Sequence, residues 1–394
     1  MQTCFKQRQQ GNRYIARNSR KVVEAAGTSA AAYIMIELLK ELIKIQSDTK
    51  EGANKALDYC AGWLVKNGQD VKVHDNNGYK MLTAIKGQGT ETLIWNGHVD
   101  VVPGHPEQYV PIEEAGRIYG RGSADMKAGV AAMMQAFADL DASRLNRIVQ
   151  LHIVTDEEIG GRNTSKWLVE QGYTGDFVIC GEPTGLKIGL QSKGILRMDL
   201  TFKGKPAHGS RPWEGINAIE SAMKFHAGMA DLPFRKESTE YYEQPSVNLP
   251  IIKAGDRYNV VPEICEMSYD IRFMPGQDKE EIVRQMKELA ERLNLDMEYK
   301  ASGSTPALTT TKENRSIQSL EKAILDTTGD TAVLFGQHGA ADTRYYAEVN
   351  GGEGAIEFGP TGDDWHGNAE YVEVQSVHQY KDILLALALS PANV

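Results

Sequence analysis

The sequence predicts an α/β protein in which a mixed sheet flanked by helices is interrupted by a smaller α+β domain. Three observations carry that expectation. Short apolar, β-branched runs alternate with amphipathic helical stretches over the first half of the chain, the pattern of a layered α/β sheet. Near Lys187 the texture changes to strict two-residue alternation, and after Pro306 the strand–helix alternation returns. At 394 residues the chain is also longer than one ordinary domain.

Taken in order, apolar residues recur at helical spacing over Ile36–Ile45 and again over Ala56–Lys66. Strand-like runs come next at Asp70–His74, Met81–Lys86 and Thr92–Trp95. A small-residue helix is expected over Lys127–Leu140, then a strand at Ile148–Thr155, a helix at Asn163–Gln171 and a strand at Phe177–Cys180. The next segment reads as strand Ile195–Phe202, helix Ile216–Met229, strands Ser246–Ala254 and Ile264–Met274, a charged amphipathic helix Lys279–Leu293, and strand Asp296–Ala301. That order, β-α-β-β-α-β, is the order of a ferredoxin-like unit. Helix Ser316–Thr327, short strands Val333–Phe335 and Ala355–Phe358 and helix Val374–Ala388 complete the chain. The expected division is a basic extension (1–34), a main domain in two parts (35–189 and 304–394), and an inserted domain (190–303).

Composition narrows the function. A chain with 41% hydrophobic and 24% charged residues is that of a globular protein, and a net charge of −10 is the wrong sign for binding nucleic acid. No apolar run reaches the roughly 18–20 residues of a membrane helix. Cys4, Cys60, Cys180 and Cys265 share no short spacing, so they read as free thiols of a reducing compartment, the cytoplasm. The first 34 residues hold six Lys or Arg and one acid, Glu24, the make-up of a leader or a non-catalytic extension.

Five side chains lie where strand-like runs end. In NGHVD, His98 and Asp100 are two apart, so in extended chain both point to one face. Asp100 can then hold the second imidazole nitrogen of His98; an ordinary turn is the alternative. In GRGSADMKAG, Asp125 lies between a glycine-dense loop and a small-residue helix, where it is either a helix cap or a ligand exposing both oxygens. The glycine spacing fits neither a P-loop nor a dinucleotide fingerprint. TDEEIGG places Glu157 and Glu158 side by side, which is costly at a buried strand end without a cation. Such a pair can divide the work, one binding metal and the other taking a proton. Glu182 in CGEPTG and His366 in GPTGDDWHGNAEYV repeat the placement. Two histidines and three carboxylates suit two divalent cations that share one carboxylate. His208 in GKPAHGSRP stands apart, on a loop of the inserted domain.

Together these motifs resemble the co-catalytic zinc aminoacylase and carboxypeptidase family within metallopeptidase clan MH, which includes acetylornithine deacetylase, succinyl-diaminopimelate desuccinylase and peptidase T-like enzymes. The likeness runs from about Met35 to the C-terminus with every motif in order. It implies a zinc-exopeptidase-like fold with the inserted domain serving as lid and dimerisation element, and two divalent cations, zinc foremost, with cobalt and manganese as alternatives. It further implies His98 and Glu182 on one ion, Glu158 and His366 on the other, and Asp125 between them through a cis Asp125–Met126 peptide. Asp100 corresponds to the residue that orients the histidine, Glu157 to the general base acting on a water shared by the cations, and His208 to the group that stabilises the oxyanion, in some relatives from the partner subunit of a homodimer. Arg272 in YDIRF and Asn259 correspond to residues that hold a substrate carboxylate, with a surface pair between Arg272 and Asp270 as the alternative. The implied reaction is hydrolysis of N-acyl amino acids, in amino-acid biosynthesis. The alternatives are a dipeptidase or carboxypeptidase using the same site, and a non-catalytic relative that only binds. Residues 336–346 correspond to the acyl-selecting loop and match neither the acetylornithine nor the succinyl-diaminopimelate pattern cleanly.

Overall fold

The structure, a computed structural model, describes residues 30–391, which fall into two compact units. The first comprises residues up to 188 together with 313–333 and 357 onward; the second comprises 189–312 and 334–356. Residues 1–29 of the expected basic extension lie outside the described part. Its last residues belong to the first helix, Ala30–Lys44, which starts earlier than the apolar periodicity indicates. The inserted portion also differs from the 190–303 reading, because 304–312 and 334–356 group with it. The short strand Leu308–Thr309 pairs with Ile188–Ser192, and Thr310 bonds Ala355. Contacts so distant in sequence leave no local periodicity.

In the first unit the central strands run in the order Lys72–Asn76, Tyr79–Gly87, Ile148–Val154, Thr92–His98, Phe177–Cys180. The last three are mutually parallel, with His98 level with Val154 and Asn96 level with Cys180. Buried on both faces, they carry the continuous apolar runs typical of parallel strands. Helix Ala128–Asp139 is buried almost throughout its length, and Val374–Leu389 packs against it. Its alanines and glycine permit that close approach. Gly97 faces it with no spare room: a Cβ there would lie 2.8 Å from Val130 and 2.9 Å from Met126. A second small sheet, Gly362–Asp363, Tyr371–Glu373, Arg117–Tyr119 and Ile112–Glu114, is too short to show in the sequence pattern.

The second unit holds an antiparallel sheet in the order Ser246–Ala254, Ile264–Phe273, Gly194–Lys203, Asp296–Thr305. With strands numbered along the chain this is 2-3-1-4, the ferredoxin-like arrangement. Its inner face and helices Ala218–Met229 and Lys279–Arg292 form a core around Phe202, Phe225, Tyr269 and Met286. Each such fully buried side chain contributes roughly 1.5–3 kcal/mol.

Among the described residues no helix is long and apolar enough to cross a membrane. The described cysteines, Cys60, Cys180 and Cys265, are buried free thiols.

One buried histidine gives the first unit a pH dependence. His152 has no exposure and packs edge-on to Tyr173. Burial, and after it the charge of His74, pushes its imidazole from 6.5 down to about 3. The folded state therefore keeps it neutral, whereas the unfolded chain takes up a proton below about 6.5. The stability it contributes is full above that pH and is lost as pH falls toward 3. The melting temperature of the metal-free protein is expected to fall between pH 6.5 and 4, and to fall less in His152→Gln. Equal slopes in the two proteins would remove His152 as the cause.

Candidate metal centre

The three parallel strands end together, and the site is built on the residues at or just beyond each of those ends, the usual ligand position in α/β sheets. His98 is the last residue of Thr92–His98. Glu157 and Glu158 open a short turn after Ile148–Val154. Asp156 ties that turn down: its carboxylate accepts from the Asn163 main chain at 2.8 Å and from the Thr164 hydroxyl. Glu182 lies two residues beyond Phe177–Cys180.

Asp125 does not cap a helix. It lies in a tight coil, Ser123–Lys127, with φ −112° and ψ 97°, and the Asp125–Met126 peptide is cis. His366 has left-handed backbone, φ 63°, unusual for a residue other than glycine, and its side chain is about half exposed.

These residues converge on Asp125. Its Oδ1 lies 3.1 Å from His98 Nε2, and its Oδ2 lies 3.2 Å from His366 Nε2. His98 Nε2 is 3.9 Å from Glu182 Oε1, and His366 Nε2 is 3.3 Å from Glu158 Oε1. Two groups result, His98–Asp125–Glu182 and Asp125–Glu158–His366, each with its donor atoms within 4.8 Å of one another. Glu157 belongs to neither group.

Asp100 holds His98 by a different atom from the expected one. His98 Nδ1 is 2.9 Å from the Asp100 main-chain oxygen and 3.5 Å from its carboxylate. The other carboxylate oxygen accepts from the Glu158 main chain at 3.0 Å. Asp100 thus orients His98 and anchors the turn that carries Glu158.

The electrostatics are those of a site built for cations. Burial, followed by the charge of Asp125, raises the Glu182 carboxyl well above its ordinary range, and Glu157 adds to the effect. Burial also raises Glu158. Burial alone would raise Asp125, but hydrogen bonds from His366 and His98 hold it well below the usual range. Burial would lower His98, yet Asp100 and Asp125 raise it well above 6.5. Three carboxylates within a few ångströms carry more negative charge than two histidines can offset. Moreover, the buried oxygens Asp100 Oδ1 and Glu158 Oε1 accept no hydrogen bond among the described residues. Imidazole and carboxylate donors of this kind suit zinc, manganese or cobalt. The residues present fit a divalent metal.

Two residues that hold the site together were not singled out from the sequence, Arg121 and Glu370. They form a buried ion pair at 2.7 Å. Arg121 lies inside the GRGSADM motif and Glu370 four residues beyond His366, so membership in the motifs was the available signal.

His208, Asn259 and Arg272 lie in the second unit. His208 is exposed; its Nδ1 is 2.8 Å from Ser210 Oγ and accepts the Ser210 main-chain N–H at 3.2 Å. That places its proton on Nε2. Asn259 adjoins it, its carbonyl accepting from Gly209 at 2.8 Å. Arg272 is paired with Asp270 two residues earlier on the same strand face, Nε to Oδ1 at 2.6 Å and Nη2 to Oδ2 at 3.3 Å. His338 packs edge-on to Tyr242 in the same unit.

A metal-dependent hydrolase is the class of protein that this fold and donor set define. The chain belongs to peptidase family M20/M25/M40, whose pattern matches residues 94–390, and it acts on linear amide bonds. It is 31% identical over 290 residues to succinyl-diaminopimelate desuccinylase of Orientia tsutsugamushi strain Ikeda, a match covering 68% of this chain and 74% of that one. It is 31% identical over 273 residues to acetylornithine deacetylase of Proteus mirabilis, covering 64% and 70%. The fold is similar to that of aminopeptidase PepT from Bacillus cereus, with a TM-score of 0.76 at 20% identity over 91% of this chain and 98% of that one.

Proposed function

We propose that the protein is a cytoplasmic amidohydrolase that uses two divalent cations, zinc foremost, to cleave the amide bond of N-acyl amino acids bearing a free α-carboxylate. The observation that carries this reading is the single carboxylate, Asp125, shared by two complete donor groups. His98 and Glu182 would hold one cation, Glu158 and His366 the other. The relatives named for deacetylation and desuccinylation support the acyl-amino-acid substrate.

Bound there, the cations would lower the pKa of a nearby water and polarise the scissile carbonyl. Glu157, which lies outside both donor groups, takes the proton from the attacking water and returns it to the leaving amine. His208 presents Nε2–H to the carbonyl oxygen as negative charge develops there. Asn259 and Arg272 hold the substrate carboxylate. The pair with Asp270 engages Nε and Nη2, and the Nη1 donors make no hydrogen bond among the described residues. A homodimer through the inserted unit belongs to the same proposal. Its outer strand Ser246–Ala254 exposes Ile251 and Ile252 at a sheet edge.

The test is a substrate panel on zinc- or cobalt-reconstituted protein: N-acetylornithine, N-succinyl-diaminopimelate, dipeptides, and the α-amides of the first two. N-acyl amino acids are expected to exceed their amides in kcat/KM by roughly 10²-fold or more, as for loss of a buried charged hydrogen-bond partner. A preference for dipeptides would move the assignment to a peptidase. Metal uptake without any turnover would leave a binding protein.

A further inference from the structure

The chemistry around Asp125 leaves a neighbouring buried carboxylate without a role. Glu370 is almost completely buried, with its side chain 1% exposed. Four donors converge on it. Oε2 accepts from Arg121 Nη1 at 2.7 Å and from the Gly122 main chain at 2.9 Å. Oε1 accepts from the main chains of Ala124 at 3.0 Å and Asp125 at 3.1 Å. One carboxylate thus gathers the main chain of Gly122, Ala124 and Asp125, the stretch that delivers the shared aspartate. Arg121 completes the connection in the other direction, its Nη2 donating to the carbonyls of His366 at 3.3 Å and Gly367 at 3.0 Å.

We propose that Glu370, clamped by Arg121, is a positioning residue that sets the separation of Asp125 and His366, and so the affinity of the Asp125–Glu158–His366 half-site in particular. The asymmetry arises from how the ligands are mounted. His98 ends a central sheet strand and is itself buried, and Glu182, also buried, lies two residues beyond the end of the neighbouring strand, so the sheet fixes both. His366 has neither support: its backbone is left-handed and its ring half exposed. Three residues separate His366 from Glu370, and both ends of that stretch are tied to residues 121–125, one through Arg121 and the other through the carboxylate. The pair therefore acts as a brace between two loops that the central sheet does not hold.

Glutamine at 370 retains one acceptor oxygen but turns an NH2 toward main-chain N–H groups, so at least two of the four hydrogen bonds are lost. The inference rests on the two-cation reading of the site, and the experiment separates the two. Zinc is titrated calorimetrically into metal-free protein, and cobalt is followed by its visible absorption, for the wild type, Glu370→Gln, Arg121→Lys, His366→Ala and the Glu370→Gln/His366→Ala double variant. The melting temperature of each metal-free protein is recorded alongside. In Glu370→Gln one metal equivalent is expected to weaken by about 10–100-fold, the usual effect of losing a residue that orients ligands, with its cobalt band altered. The other equivalent stays within about threefold of wild type. His366→Ala retains a single equivalent, and adding Glu370→Gln to it should weaken that equivalent by no more than the same threefold, because the half-site through which Glu370 acts is already gone. Arg121→Lys keeps the charge but not the forked donors, and it should shift the same equivalent in the same direction by a smaller factor. It also decides the matter if Glu370→Gln does not fold. Equal weakening of both equivalents, or an undiminished effect in the His366→Ala background, would overturn the inference. A wild-type protein that binds one equivalent only would overturn the two-cation reading and this inference with it.

Discussion

Glu157→Ala is expected to take up metal as the wild type does and to lose turnover by about 10²–10⁴-fold, the contribution of a positioned general base. That is roughly 3–5 kcal/mol of barrier. The two halves of the result have separate physical origins. Glu157 belongs to neither donor group, so its removal subtracts no ligand. Its negative charge is among those that raise the Glu182 carboxyl, so deleting it should leave metal affinity unchanged or slightly altered, and not abolish it. On the proposed mechanism, what disappears is the proton acceptor. Metal content by emission spectroscopy, measured on the same preparation as the kinetics, checks both halves at once. A variant that retains wild-type turnover would remove Glu157 as the base; one that loses metal would make it a ligand.

Asp125→Asn should act in the opposite way and empty both half-sites together. Each carboxylate oxygen of Asp125 faces a different histidine, at 3.1 and 3.2 Å, so one side chain serves both groups. An amide offers one oxygen and carries no charge. Removing one partner from a buried charge cluster costs about 3–5 kcal/mol, which is roughly 10²- to 10⁴-fold in affinity. Catalysis then falls with metal occupancy and not independently of it. The Asp125 main-chain N–H still bonds to Glu370, so the coil itself should persist and the metal-free variant should melt near the wild-type temperature. Loss of a single equivalent with the other unchanged would show that Asp125 is not shared. The same calorimetric titration reads this out.

The elements that fixed the scaffold were legible for a local reason. Strand Phe177–Cys180 and helix Val374–Leu389 carry their own periodicity and turn signals, and the ends of Ile148–Val154 and Thr92–His98 coincide with a change from apolar to polar residues. The β-α-β-β-α-β order likewise foretold the antiparallel sheet of the second unit. Short pieces were not legible. Strands of two or three residues such as Gly362–Asp363 and Tyr371–Glu373 have no period to detect, and Leu308–Thr309 becomes a strand only because Ile188–Ser192 lies beside it. At the candidate metal centre, the donor types and their order along the chain were readable, whereas the atom by which Asp100 holds His98, and the carboxylate of Glu370 bonded to the Asp125 main chain, were not.

The sequence by itself singled out the candidate donors, since His98, Asp125, Glu158, Glu182 and His366 each stand at the end of a self-declaring element or in a glycine-rich loop. It also set Glu157 and Glu158 side by side, an adjacency that suggested a division of roles. Only the tertiary structure decided by which atoms those residues meet: which oxygen of Asp125 faces which histidine, and what ties the loops of Asp125 and His366 together. The reason is physical. Periodicity and turn chemistry are encoded within about ten residues, but the spacing of Asp125 and His366 is set by hydrogen bonds between segments some 240 residues apart, where no local pattern records the fit.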